Sequence, residues 1–74
     1  MDPVEAKHQV LRKKCMQLIA EYTIALDEGF PPAVLNEFKY RLIKFTNKHP
    51  EFEGYLSRDV LWYRDSLKYK EKYI

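Results

Sequence analysis

One cysteine, two glycines and no long apolar run: each scarcity in this sequence excludes something. A lone Cys15 leaves no internal disulfide, so the stapling used by small secreted domains is out. Gly29 and Gly54 stand too far apart to form a phosphate-cradling loop, and neither G-x-S-x-G nor H-E-x-x-H occurs. No apolar stretch approaches the roughly 20 residues that span a bilayer, so no membrane association is expected. The opening Met1-Asp2-Pro3-Val4-Glu5 lacks the basic-then-apolar order of a secretory signal, and the expected location is cytoplasmic.

What is present favours a packed domain. The chain has 74 residues, 46% of them hydrophobic and 32% charged, too apolar for disorder. That length supports one domain, residues 1–74, whose own core supplies only a few kcal/mol of net stability. The net charge is only +2, because 11 acids are scattered among 13 bases. Such a balance permits nucleic-acid binding without arguing for it.

Two turn clusters cut the chain into three segments: Gly29 with Pro31 and Pro32, and Pro50 with Gly54. The first segment reads as a helix over about 3–28. Asp2 suits its N-cap, Pro3 its first turn and Gly29 its left-handed C-terminal cap. Val4, Leu11, Cys15, Leu18, Tyr22 and Ala25 form one stripe at helical period. The second helix runs over about 32–48 on Leu35, Phe38, Leu42 and Phe45, ending before Pro50. The third starts near Ser57 and runs to about 72 on Val60, Tyr63 and Leu67, while 51–56 admits a separate helical turn. Three such helices pack most simply as an all-α, antiparallel three-helix bundle with a long first helix.

Catalysis and metal binding find little footing. Cys15 and His8 share a stripe, but a structural zinc site needs four ligands and no third group orients the pair. Glu51 and Glu53 flank Phe52 beside a proline, which reads as a solvated loop. The sequence therefore predicts no enzyme, no cofactor, no metal and no small-molecule substrate, and no motif is specific enough to name a family.

The anomaly is apolar. Taking Val60 and Leu67 as inward, Trp62, Tyr69 and Tyr73 point roughly 180–240° away at 100° per residue. Tyr40 and Ile43 lie opposite Phe38 and Phe45 in the same way. A bundle helix meets its neighbours over an arc of about 120–140°, so one core does not absorb them all. These five residues are the expected protein-binding set, for another protein or a second copy, because Trp and Tyr dominate interface energetics. The alternative is a nucleic-acid-binding surface of Arg41, Lys44, Lys48, Lys68, Lys70 and Lys72, interleaved with aromatics.

Overall fold

The computed structural model describes the backbone of residues 2–73 and the side chains of residues 2–69. Over that range the chain is all-α: helix α1 (Pro3–Asp27), helix α2 (Pro32–Lys48), a 3₁₀ segment (Pro50–Tyr55) and helix α3 (Arg58–Tyr73). No described helix is long and apolar enough to cross a membrane.

The ends of α1 follow from local chemistry. Asp2 Oδ1 accepts from the backbone N–H of Val4 at 3.0 Å, satisfying a donor that the helix itself leaves orphaned. At the other end Gly29 sits at φ 72. Its N–H donates to the Leu26 carbonyl at 3.1 Å, and the Phe30 N–H donates to the Ala25 carbonyl at 3.1 Å. This is the paired 6→1 and 5→2 closure that ends many helices and needs a residue free to adopt positive φ. Nothing lies within 4 Å of where a Cβ would stand on Gly29, so only the backbone opposes a side chain there. Gly29→Ala is therefore expected to lower stability by about 1 kcal/mol in a urea titration. An unchanged midpoint would show that the turn relaxes without strain.

The start of α3 falls where the sequence places it. The Ser57 carbonyl accepts from the Leu61 N–H at 3.1 Å, which places Ser57 at the N-cap by backbone. Its hydroxyl, however, donates to the Asp59 carboxylate instead of accepting a helix N–H.

Helix α2 is the central element, with α1, the 3₁₀ segment and α3 each packed against it. One core cluster joins Tyr22 of α1, Leu42 and Ile43 of α2, Leu56 and Val60. A second joins Cys15, Phe45 and Phe52. Leu18 and Ile19 pack against both and make the core continuous. Buried Thr46 is satisfied by donating to the Ile43 carbonyl at 3.2 Å.

The assembly is flatter than a compact bundle. Its extents are 45 × 33 × 15 Å and its radius of gyration 13.8 Å, against about 11 Å for a compact chain of this length. The long dimension comes from α1, which at 1.5 Å per residue is about 37 Å long and outruns α2, and the thin one from α1 and α3 each packing chiefly on α2. Val4 shows the overhang: it lies on the inward stripe of α1 yet is 73% exposed.

Candidate functional site

Two surfaces stand out, one aromatic and one cationic. The aromatic one is the outward face of α3. Counting 100° per residue from buried Val60, Trp62 and Tyr69 stand about 200° and 180° away, directed out of the core. Trp62 is 73% exposed and Tyr69 64%. Tyr73, expected on the same stripe, lies outside the described side chains, as do Lys70 and Lys72. Tyr40 is half-exposed on α2, and the Lys44 ammonium sits 5.5 Å from its ring centroid.

Ile43 is a correction. It is 4% exposed and belongs to the core, so it is no part of an outward face. The reason is the central position of α2. Phe45 faces Cys15 and Phe52, whereas Ile43 belongs to the cluster that contains Leu56 and Val60. These two buried residues stand about 160° apart on the α2 circumference, a wider arc than a helix at the edge of a bundle buries.

The cationic surface is a groove of about 410 Å³ between α1 and α2. Leu11 and Leu18 of α1 and Phe45 of α2 form its floor. Lys14 of α1, Arg41, Lys44 and Lys48 of α2, and His49 line its walls. Among the described residues, only Arg41 of the four lysine and arginine side chains in the groove has an acidic partner: Glu37, one helical turn away at 3.8 Å and exposed. An exposed pair of that kind contributes a few tenths of a kcal/mol and leaves the charge available. The Arg41 guanidinium also lies 5.3 Å from the Phe38 ring centroid, which holds the side chain along the helix.

The six basic residues expected to act together are thus divided. Arg41, Lys44 and Lys48 share the groove. Lys68 neighbours Glu53, whose carboxyl is held below its usual range mainly by a hydrogen bond from Arg64, then by that residue's charge, with Lys68 adding to the effect. Arg64 Nε also lies 3.5 Å from Asp65 Oδ1, an ion-pair distance without hydrogen-bond geometry. Lys68 therefore sits in a mixed-charge cluster.

Lys14 lines the groove although it lies outside the basic set that the sequence points to. A signal for it exists: Lys14 falls three residues after Leu11 and four before Leu18, which puts it on the border of the apolar stripe.

The thiol and imidazole of α1 take structural places. Cys15 is fully buried, and burial pushes its thiol pKa up, away from the reactive thiolate. His8 stacks on Phe52 with centroids 5.4 Å apart. Among the described residues no three His, Cys, Asp or Glu side chains gather as a metal site.

A further polar contact crosses the fold. The Tyr22 hydroxyl of α1 donates to the Asp59 carboxylate at the start of α3. Burial, then the hydrogen bond to Asp59 and its charge, push the Tyr22 pKa well above its ordinary value. Burial alone would raise the Asp59 carboxyl, but hydrogen bonds from Ser57, Tyr22 and the backbone outweigh it and hold it below its ordinary value.

Compared with known proteins, the chain matches no family model, no curated protein and no solved structure.

Proposed function

We propose that this chain is a small helical interaction module that acts by laying the outward face of α3 on a protein surface. The observation that carries the reading is Trp62, 73% exposed on a helix whose Val60 is completely packed. Indole and phenol rings are stiff, large and amphipathic, so they give contact area at low entropic cost. Trp62 and Tyr69 together offer a few hundred Å² for burial, which at about 25 cal/mol per Å² is several kcal/mol of gross driving force. The cost of association absorbs much of that, so a second copy alone yields a weak dimer and tight binding needs a separate protein with a matching pocket. No catalytic step enters this reading. Single-stranded nucleic acid is the weaker alternative, because Lys68 lies within electrostatic reach of Glu53 and the described part of the basic set does not form one track.

Intrinsic fluorescence and sedimentation test the proposal together. In dilute solution the single tryptophan should emit as a solvated indole and be quenched readily by iodide. Sedimentation should show dimer growing as concentration rises, and Trp62→Ala should suppress that growth while the far-UV helical signal is unchanged. A strict monomer whose tryptophan resists iodide defeats the reading, and so does a Trp62→Ala chain that unfolds, since Trp62 would then be a core residue.

A further inference from the structure

From the groove between α1 and α2 we infer a second docking surface, separate from the α3 stripe, whose occupant is an acidic amphipathic helix of a partner protein. The floor and the walls ask for different chemistry, and such a helix supplies both. Leu11, Leu18 and Phe45 form an apolar trough between two helices, the shape into which side chains at i, i+3 and i+4 of a third helix fit. A volume of about 410 Å³ holds only a few such side chains. Lys14 on one wall and Arg41, Lys44 and Lys48 on the other flank the trough with positive charge from both sides. A helix lying in the trough would present its own flanks to both walls, so acidic residues beside its apolar stripe meet lysines on either side.

The same surface fits nucleic acid less well. Binding of single strands relies on rings open for bases to stack upon. Phe45 is buried, the His49 ring packs against Phe45 with centroids 5.0 Å apart, and the Tyr40 ring already carries the Lys44 ammonium at 5.5 Å. Phosphates would find the cations but not a stacking platform, and the apolar floor would go unused. A protein segment uses both halves of the site.

Fluorescence anisotropy on the full chain tests this with a labelled helical peptide of about 16 residues, leucine on one stripe and glutamate on its flanks, at about 0.1 M salt. Three comparisons decide the outcome: the same peptide with serine for leucine, the same peptide with glutamine for glutamate, and a single-stranded oligothymidylate of about 12 nucleotides. The parent peptide should bind, and each altered peptide should bind at least about tenfold more weakly. Lys14→Glu with Lys44→Glu should weaken the parent peptide by about tenfold or more. Both positions are exposed in mid-helix, and Lys48, which suits the C-terminal end of α2, is left in place, so the fold is retained. Circular dichroism checks that retention, and Lys14→Gln with Lys44→Gln gives a milder variant with the same expected direction. Trp62→Ala should leave peptide binding unchanged, which distinguishes failure of this inference from failure of the α3 reading. The inference is overturned if no peptide binds, if the serine peptide binds as well as the parent, or if the charge-reversed chain binds it undiminished. It is overturned equally if the oligothymidylate binds tighter than the peptide through the same lysines, for the groove would then be a nucleic-acid site.

Discussion

Phe52→Ala is expected to cost about 3–5 kcal/mol, enough to unfold most of a domain this small at ambient temperature. Phe52 is 1% exposed and is among the largest fully buried side chains. Its ring meets Phe45 at 5.7 Å, stacks with His8 at 5.4 Å and approaches Tyr55 at 6.0 Å. It also lies against Cys15, which is wholly buried in the same cluster. The ring therefore ties the 3₁₀ segment to α1 and α2 at once, and its loss leaves a cavity that three elements border. The helices cannot collapse into that space without giving up the packing of Cys15 and Phe45. Phe38→Ala is a useful contrast. Phe38 is only half-buried at the edge of the other cluster, so its truncation should cost clearly less, about 1–2 kcal/mol. Urea titration followed by far-UV circular dichroism separates the two. A Phe52→Ala loss under about 1 kcal/mol would mean that the 3₁₀ segment contributes little to the fold.

The importance of Phe52 could not be read from the sequence, and the reason is instructive. A single apolar residue between two glutamates, bracketed by Pro50 and Gly54, has no periodic partner, and periodicity is the signal that reveals burial. The helix ends were legible because their signals are local: Asp2, Pro3 and Gly29 each act within a few residues. The outward direction of Trp62 and Tyr69 was legible because α3 is packed along one side. Ile43 misled because α2 is central. A helix enclosed on two flanks has a wide buried arc, and sequence spacing alone does not say which helix is in the middle. The groove was legible by half. The spacing of Arg41, Lys44 and Lys48 puts them on one flank of α2, but their meeting with Lys14 depends on how two helices align. The Tyr22–Asp59 bond spans 37 positions, and neither residue's neighbours in sequence announce it.

That bond carries the second large effect, and pH exposes it. Asp59→Ala removes the acceptor and leaves the Tyr22 hydroxyl, on a ring 4% exposed, without its partner. Losing a hydrogen bond to a charged group and stranding a buried donor should together cost about 2–3 kcal/mol. Tyr22→Phe removes the hydroxyl itself and strands nothing as deeply, since Asp59 keeps Ser57 as a donor. It should cost about 1 kcal/mol. The Lys39 ammonium, 6.0 Å from the Tyr22 ring centroid and 5.7 Å from that of Tyr63, remains nearby as a positive charge in either variant. The direction of each pKa shift sets the pH dependence. The Asp59 carboxyl is held below its ordinary value by its hydrogen bonds, so its contribution is present above the unfolded value of about 3.9. It is lost as pH falls through the lower folded value, where the folded state must take up the proton. The Tyr22 hydroxyl is shifted the other way, by burial first and by Asp59 second. Its contribution is present below the unfolded value of about 10 and declines as pH rises above that. Other carboxylates also titrate in acid, so the informative quantity is the difference between wild type and variant. Wild type should exceed Asp59→Ala by a constant margin from about pH 5 to pH 9, with the margin shrinking on acidification below about pH 4. In alkali, Tyr22→Phe should lose less stability than wild type. Urea titrations across this range, completed by the double variant, measure the coupling of the two side chains. A margin that stays constant down to about pH 2 would show that Asp59 is not held in its ionised form by this bond, and purely additive effects in the double variant would show that the two side chains do not stabilise each other.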